Sequence, residues 1–556
     1  MFWEKSYPSD VDWHGKIDIK PLHNILDESI KNFGSKVCLD FLGKEFSYSK
    51  IGRMVECAAS GFQKIGVKKG VKVGLFLPNC PQFVISYFGI LKAGGTVVNY
   101  SPLYSEADLL HQIEDSETDI MVTLNLEVLY SKMNLMLDQS RLSKLIIGTM
   151  PEVLPFPKSF LFPLVKRKDI AKVVYDERHI SFKELLNNEG LYEKVDVDLY
   201  EDVAVLQYTG GTTGVSKGAM LTHANLYSNL VQEIMWFPGL DHGNESVMAV
   251  LPFFHVFAMT VVMNLGIFMG AKLIMHPRFE LVPVLKDIHS KKATFMAGVP
   301  TMYNAILNYP EVNKYDLSSI KKCLSGGAPL PFDIKNGFEK ITGCTLVEGY
   351  GLTETSPVAC ANPINGLNKE NSVGLPMPGT TITITDKDNP NKILEQGEKG
   401  EICISGPQVM KGYWKQPEVT KSIIIDGRFR SGDIGYIDNE GYTFIIDRIK
   451  DLVLVGGFNV YPRNIEDIIY QHPAVDEVTV IGIPDNYTGE AIKAFVKLKN
   501  NESLDEESLK SFLIDKLGKH EQPKFIEFRD ELPKTMIGKL SKKELVSEET
   551  TKQQKN

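Results

Sequence analysis

Residues 203–218 have the sequence Val-Ala-Val-Leu-Gln-Tyr-Thr-Gly-Gly-Thr-Thr-Gly-Val-Ser-Lys-Gly. This stretch joins a short apolar run to a loop rich in glycine and threonine. The run Val203–Gln207 is typical of a buried strand. In the loop Tyr208–Gly218, glycines allow sharp bends that bring several backbone N–H groups toward one point. Threonine hydroxyls add donors and Lys217 adds a cation, so the stretch predicts a phosphate-binding loop. It is not a Walker A loop, because Lys217 precedes glycine rather than serine or threonine.

Similar apolar runs recur on both sides of this strand, at residues 95–99, 247–251, 272–275, 293–297 and 344–347. Helical patterns separate them, such as Pro81–Ala93, which Gly94 and Gly95 end. Buried strands that alternate with helices predict an α/β fold with largely parallel sheets.

The pattern changes after Gly374. Thr381–Thr385 and Glu401–Ser405 alternate apolar and polar residues, which predicts half-exposed antiparallel strands. We therefore predict a large domain over residues 1–447, with a β-rich subdomain at about 374–447. A small mobile α+β lid domain is predicted over 448–556, with a frayed polar end at Ser547–Asn556.

Composition excludes several protein classes. The formal net charge of -9 argues against nucleic-acid binding, which usually requires a basic surface. Seven scattered cysteines form no CxxC pair, which disfavours a zinc site or a disulfide framework and fits a reducing, cytoplasmic compartment. The N-terminus lacks the pattern of a signal peptide. The apolar stretch Val256–Ala271 is shorter than the ~20 residues of a spanning helix, so we expect a buried element.

Four further segments carry candidate chemistry. Glu348–Thr355 follows a predicted strand, and Glu354 is a hard oxygen ligand suited to Mg²⁺. Small residues in Leu324–Pro329 leave room for a flat ring. Asp433 can accept both hydroxyls of a ribose, and Arg448, close behind it in the sequence, can pair with phosphate through its planar guanidinium. Lys539 follows a glycine in Pro533–Lys539, as a lysine that projects from a turn would.

These five segments, in this order, resemble the adenylate-forming superfamily of acyl-CoA synthetases, luciferases and adenylation domains, from about Leu22 to Leu545. Residues 207–223, 452–462 and 527–534 look most like bacterial long-chain fatty-acid–CoA ligases. The resemblance implies a reaction in two steps, in which a carboxylate attacks the α-phosphate of ATP and coenzyme A then displaces AMP. No nucleophile–histidine–acid set is needed, because a carboxylate is already a nucleophile at neutral pH.

The resemblance also implies the role of each residue. The phosphates would be held by Thr209, Gly210, Gly211, Thr212, Thr213, Gly214 and Lys217, and Mg²⁺ by Thr209 and Glu354. The nucleotide would be lined by Gly326, Gly327, Ala328, Pro329, Glu348, Gly349, Tyr350, Gly351 and Thr353. Asp433 would bind the ribose and Arg448 the ribose or phosphate, while Lys450 would lie at the hinge. Lys539 would bridge the substrate carboxylate and the α-phosphate, where a cation offsets the repulsion of two anions.

The acyl chain would lie near His255, Val256 and Met259, and His255 is also a candidate catalytic residue. Some relatives have a tryptophan near Met259 that gates the acyl tunnel, and methionine stands here instead. The phenylalanines at 253, 254 and 257 favour an aliphatic tail over a polar amino acid. A medium-chain or aryl acid–CoA ligase, an acyl-AMP ligase that loads a carrier protein and a non-catalytic binder stay open as alternatives.

Pro151–Lys168 combines four prolines, three phenylalanines and the basic run 166–168. Because proline interrupts helices, we prefer an irregular surface excursion with partly packed aromatics over a lipid-binding patch. Peripheral contact with the inner face of the membrane and a homodimer are left open.

Overall fold

The computed structural model describes residues 1–209, 216–485, 487–499, 502–535 and 538–554. Contacts within the chain divide it into two units. The first unit comprises Met1, Trp3–Thr381 and Ser405–Ile424, and the second comprises Phe2, Ile382–Ile404 and Ile425–Asn556. The β-rich segment is thus grouped with the C-terminal residues, while a mobile boundary at Arg448 stays a prediction.

The strands of the first unit begin with the N-terminal half of the chain. They are β1 (Val37–Phe41), β2 (Lys44–Ser47), β3 (Lys72–Leu75), β4 (Thr96–Asn99), β5 (Thr118–Leu124), β6 (Lys144–Gly148), β7 (His179–Ser181), β8 (Val203–Thr209), β9 (Lys217–Thr222), β10 (Ser246–Ala249), β11 (Lys272–Met275), β12 (Phe295–Gly298), β13 (Lys322–Ser325), β14 (Thr345–Gly351), β15 (Val358–Ala361) and β16 (Leu375–Pro376).

The remaining strands follow in chain order; β19 lies in the first unit, β20 has one residue in each unit, and the others lie wholly or mostly in the second unit. They are β17 (Thr381–Thr385), β18 (Gly400–Ser405), β19 (Gly412–Tyr413), β20 (Ile424–Ile425), β21 (Arg428–Ile437), β22 (Thr443–Arg448), β23 (Val453–Val455), β24 (Phe458–Val460), β25 (Val475–Asp485), β26 (Gly489–Leu498) and β27 (Phe525–Phe528).

Helices separate most of the parallel strands. They are α1 (Asn24–Phe33), α2 (Tyr48–Lys64), α3 (Pro81–Lys92), α4 (Glu106–Ser116), α5 (Glu127–Gln139), α6 (Met150–Val153), α7 (Lys158–Val165), α8 (Phe182–Leu185), α9 (His223–Trp236), α10 (Val256–Ala258), α11 (Leu265–Phe268), α12 (Leu281–Lys291), α13 (Pro300–Leu307), α14 (Phe332–Thr342), α15 (Pro417–Ile423), α16 (Pro462–Tyr470), α17 (Glu506–Ile514) and α18 (Lys542–Gln554).

The first unit contains two large sheets. One has eight strands in the order β19-β9-β8-β4-β3-β5-β6-β7, and the other has nine in the order β16-β15-β14-β13-β12-β10-β11-β1-β2. Strands β3–β8 and strands β10–β14 pair in parallel within their sheets, and most of their residues are buried. Such strands are covered on both faces, which explains their continuous apolar sequence. The predicted α/β fold class is confirmed.

A buried asparagine joins the carboxyl ends of the two sheets. The Asn79 side chain, after β3, donates to the carbonyl of Leu251 at 2.8 Å and accepts the backbone N–H of Phe253 at 2.8 Å. Because the segment after β10 is tied to β3 in this way, ligand-binding loops of both sheets converge on one edge, where α/β sheets usually bind ligands.

The second unit contains two five-stranded sheets. One has the order β17-β18-β21-β20 with β22 paired to β21, and the other has the order β24-β23-β26-β25 with β27 paired to β26. Residues of α16, α17, β25 and β26 form an apolar core that includes Ile465, Val480, Ala494 and Leu509. The strands predicted at 381–385 and 401–405 are present as β17 and β18 of the first of these two sheets.

Three expectations from the sequence are wrong. Glu348–Gly351 belong to strand β14 rather than following a strand. Ser547–Gln554 are helical in α18 rather than frayed. The segment at 151–168 is not irregular, because it contains α6 and α7, and its Phe156 and Phe160 are exposed rather than packed.

The long apolar stretch is buried, as the sequence predicts. All seven cysteines are free and buried. The stretch from Val256 is buried except for half-buried Phe268, and it forms α10, a π-helix at Met259–Asn264 and α11. Among the helices that the structure describes, none is long and apolar enough to cross a membrane.

Candidate active site

The predicted phosphate loop lies between two antiparallel strands of the eight-stranded sheet. Strand β8 ends at Thr209 and β9 begins at Lys217, and these two residues are opposite each other in the strand register. Gly210, Gly211, Thr212, Thr213 and Gly214 lie outside the described residues. The pairing of β8 with β9 places Thr209 and Lys217 side by side, at the edge of the sheet where the parallel strands end. We call these two paired strands the β8–β9 hairpin.

A buried amide network supports the base of this hairpin. Asn99, at the end of β4, donates from Nδ2 to Oε1 of Gln207 at 2.9 Å and also lies 3.3 Å from Sδ of Met259. Gln207 in turn donates to the carbonyl of Phe254 at 2.9 Å. The predicted acyl segment is therefore tied by side-chain contacts to the strand that leads into the phosphate loop.

Glu354 lies beside the same hairpin. It belongs to the 3₁₀ turn Thr353–Thr355, which follows β14 and packs against β8 and β9. Its side chain is buried, and its backbone carbonyl accepts the N–H of Met410 at 2.8 Å. The fold thus brings the predicted magnesium ligand to the predicted phosphate loop.

Tyr413 connects Glu354 with Lys217. Its hydroxyl donates to Oε1 of Glu354 at 2.5 Å, and Nζ of Lys217 lies 5.3 Å from the centroid of its ring. Strand β19 holds this tyrosine in place by pairing with β9, where Tyr413 is opposite Ala219. Burial and the neighbouring Glu354 raise the pKa of the Tyr413 hydroxyl, so it remains a donor. Tyr413 belongs to none of the sequence motifs, because the pairing of β19 with β9 is not visible in the sequence.

The residues predicted to line the nucleotide follow or end strands of the nine-stranded sheet. Gly326, Gly327, Ala328 and Pro329 come directly after β13, while Glu348, Gly349, Tyr350 and Gly351 are the last residues of β14. A Cβ atom on Gly351 would lie 1.9 Å from the carbonyl oxygen of Pro357, so close packing requires glycine at this position. Tyr350 is half-buried at the same edge of the sheet.

The predicted acyl residues differ in their surroundings. His255 is half-buried and accepts the N–H of Phe257 at Nδ1, at 3.3 Å, so it caps α10. Val256 and Met259 are buried. Met259 begins the π-helix, and Thr260 next to it donates to the carbonyl of Ser356 at 2.8 Å, just after the Glu354 turn. π-Helices are uncommon and are often found at functional sites.

The second unit holds the predicted ribose-binding pair. Asp433 on β21 and Arg448 on β22 are opposite each other, and Nε of Arg448 lies 3.1 Å from Oδ1 of Asp433. Buried Glu401 fixes the approach to Asp433, since it pairs with Arg430 at 2.6 Å and accepts the N–H of Gly432 at 3.1 Å. Glu401, like Tyr413, lies outside the five sequence motifs.

Lys539 belongs to the same unit, and the charges of Asp433 and Arg448 affect the pKa of its ammonium. Burial lowers the pKa of its ammonium to about 8, and Arg448 acts in the same direction while Asp433 and Asp451 oppose it. The backbone N–H of Lys539 donates to Oγ1 of Thr535 at 3.2 Å. Lys450 lies in the short 3₁₀ turn Ile449–Asp451 directly after β22 and is exposed.

The oxygen ligands fit a magnesium ion that is also bound by phosphate. Among the described residues, no group of three or more histidine, cysteine, aspartate or glutamate side chains is placed to hold a metal. Mg²⁺ in nucleotide enzymes usually takes only one or two protein carboxylates and completes its shell with phosphate oxygens and water. Glu354 provides one buried carboxylate near the end of β8, where Thr209 provides a hydroxyl. This pair of oxygen ligands is compatible with that chemistry.

Comparison with known families gives two matches that together span most of the chain. The AMP-binding enzyme profile matches residues 26–414, and the profile of the AMP-binding enzyme C-terminal domain matches residues 464–539.

Several curated relatives match over nearly their whole length. A long-chain-fatty-acid–CoA ligase of Bacillus subtilis (strain 168) is 42% identical, covering 99% of this chain and 98% of its own. The enzyme of the same name from Escherichia coli O157:H7 is 39% identical, covering 98% of both chains. A probable 4-coumarate–CoA ligase 2 of Dictyostelium discoideum is 33% identical, covering 98% of this chain and 97% of its own.

Solved structures share the fold. ATP-bound MatB from Rhodopseudomonas palustris has a TM-score of 0.83 at 29% identity, covering 95% of this chain and 98% of its own. The anthranilate CoA ligase AuaEII with anthranoyl-AMP has a TM-score of 0.84 at 23% identity, over 96% and 97% of the two chains.

Proposed function

Because the chain belongs to the AMP-binding enzyme family, we propose that it is a long-chain fatty acid–CoA ligase that forms acyl-CoA, AMP and diphosphate through an acyl-adenylate. One observation carries the proposal: relatives of that name at up to 42% identity align with almost the whole chain. The buried apolar stretch from Val256 supports an aliphatic substrate, since each buried methylene contributes about 0.8 kcal/mol.

In the first step, the residues of the first unit would hold ATP. Thr209 and Lys217, with the loop between them, would bind the phosphates, and Glu354 with Thr209 would hold Mg²⁺. Bound there, Mg²⁺ would neutralise phosphate charge. The segments Gly326–Pro329 and Glu348–Thr353 would line the base.

The second unit would supply the ribose contacts and a mobile cation. Asp433 is held by the guanidinium of Arg448, and this orients its carboxylate for the ribose hydroxyls. Lys539 would stabilise the charge that develops as the carboxylate attacks the α-phosphate. His255, Val256 and Met259 are proposed to border the acyl chain, and Lys450 to be the hinge for the thioester step. Contact with a membrane and a homodimer stay predictions.

The proposal is tested by pyrophosphate release across carboxylic acids of graded chain length, with and without coenzyme A. We expect kcat/KM to rise from acetate through octanoate to palmitate, with thioester formed only when coenzyme A is present. The 33% identical relative makes 4-coumarate the required comparison. Faster turnover of 4-coumarate than of palmitate would indicate that the substrate is an aryl acid and not a fatty acid. Adenylate formation without any thioester would instead indicate a ligase that loads a carrier protein.

A further inference from the structure

Helix α7 and its flanks expose a cluster of large apolar side chains. The exposed fractions are 84% for Phe156, 66% for Phe160, 65% for Leu164 and 76% for Val165. No residue of α7 is buried. Adjacent apolar side chains that are this exposed usually mark a site of contact with a partner or a membrane. We call Phe156, Phe160, Leu161, Leu164 and Val165, with the cations named next, the α7 surface.

The same surface is basic on an acidic protein. Between Pro155 and Lys168 the sequence contains Lys158, Lys166, Arg167 and Lys168 but no aspartate or glutamate, while the whole chain has a formal net charge of -9. All four cations are exposed. A partner that covers the α7 surface must therefore accept apolar side chains and offer negative charge.

The α7 surface is attached at both ends, so its exposure is not that of a frayed tail. Nζ of Lys158 donates to the carbonyl of Leu42 at 3.1 Å, and Lys166 pairs with Asp169 at 3.0 Å. Just beyond, Ile170 forms an antiparallel bridge with Leu126. An isolated helix of this length, with Pro163 inside it, would not be stable in water, so these attachments hold the apolar residues outward.

We propose that the α7 surface docks the protein on an anionic lipid bilayer, with the phenylalanines and leucines in the interfacial region and the cations at the headgroups. Amphipathic segments with aromatic and basic residues bind in this way, and each lysine or arginine strengthens binding to anionic lipid by about fivefold. A second copy of the chain fits less well, because a two-fold interface would place the same four cations opposite one another.

Sedimentation with vesicles tests the proposal, using the full-length protein without substrate. Vesicles of phosphatidylcholine alone are compared with vesicles containing phosphatidylglycerol. We expect binding only with phosphatidylglycerol, weakened at least tenfold at 0.5 M salt by screening. The F156S/F160S/L164S variant should bind at least tenfold more weakly, and replacing the four cations with glutamine should abolish the preference for anionic lipid.

A matched control is L103S/L191S/Y200S, which removes three side chains that are 68%, 77% and 63% exposed elsewhere on the first unit. It should bind like the unchanged protein. Equal loss in the control, or unchanged binding of both α7 variants, would refute the proposal. Light scattering tests whether the α7 surface instead binds a second copy of the chain. That alternative would be supported if the unchanged protein is a dimer that does not bind vesicles and the F156S/F160S/L164S variant is a monomer. Because no substrate is present, these results are independent of whether fatty acids are activated.

Discussion

At the scale of single residues, Tyr413 contacts both Lys217, which is predicted to bind phosphate, and Glu354, which is predicted to bind magnesium. Replacing it with phenylalanine keeps the ring under Lys217 but removes the donor to Glu354. A hydrogen bond to a charged group contributes about 1.5–3 kcal/mol, so we expect pyrophosphate release to fall about 10- to 100-fold. The Mg²⁺ concentration for half-maximal rate should rise, while KM for the fatty acid stays the same.

Tyr48→Phe is the control for this variant. Tyr48 is also buried, and its hydroxyl donates to the carbonyl of Ala271 at 2.7 Å, far from Glu354 in the sequence. It should leave the Mg²⁺ dependence unaltered. If Tyr413→Phe also leaves that dependence unaltered, Tyr413 does not position Glu354.

Lys539 makes a prediction about pH. Its lowered pKa of about 8 means that the ammonium is present below pH 8 and is lost as the pH rises through that value. Adenylate formation should therefore be constant from about pH 7 and decline above pH 8. Lys539→Arg keeps a cation to much higher pH and should remove the decline, whatever its absolute rate. A decline that persists in Lys539→Arg would assign the titration to another group.

The same residue separates the two half-reactions. Lys539→Ala should lower adenylate formation by about 10²–10³, the usual effect of removing one group that stabilises the transition state. Thioester formation from supplied acyl-AMP should remain largely intact. Equal loss in both steps would contradict the proposed role.

At the scale of elements, the short turn Ile449–Asp451 is the proposed hinge. Lys450→Pro would fix φ at this exposed position and remove its N–H, so a backbone rotation there would be blocked. We expect the thioester step to slow more than adenylate formation. Lys450→Ala, which leaves the backbone free to rotate, should behave like the unchanged enzyme. Normal rates of both steps in Lys450→Pro would exclude a hinge at this residue.

Elements were predictable from sequence where burial imposes a simple pattern. Strands such as β8 and β11 and helix α3 were found within a few residues, because continuous apolar runs allow few alternatives. Helix α18 was missed because its sequence is polar. It is held by buried Leu545, which packs in an apolar cluster with Ile481 and Phe495, and by ion pairs that include Lys493 with Glu549 at 2.9 Å and Arg529 with Glu548 at 2.8 Å.

The candidate site shows the same limit. Motifs that are contiguous in sequence, such as the loop ending at Lys217 and the turn at Glu354, were identified without coordinates. The residues at the end of β14 were identified as well, but their strand conformation was not, because Gly-Tyr-Gly is typical of a turn and only pairing with β15 makes it a strand. Tyr413 and Glu401 act through partners that are distant in the chain, and single-sequence patterns carry no information about such pairs.

At the scale of the whole molecule, each unit is built from segments that are not continuous in the sequence. The chain leaves the first unit after Thr381, returns at Ser405 and leaves again after Ile424. Strand β19, which carries Tyr413, pairs with β9 from a distant part of the sequence. Such non-local pairing slows folding, since the intervening loop must be closed before the contact forms.

During synthesis on the ribosome, this arrangement sets an order of events. The first unit cannot acquire Tyr413 until more than two thirds of the chain has emerged, and β18 must then wait for β21 to be translated. A nascent chain halted between these points would expose the unpaired edge of β18, the kind of edge that invites aggregation. The first unit of this protein is therefore completed late in translation, and we expect chaperones to be needed most while residues 405–437 leave the ribosome.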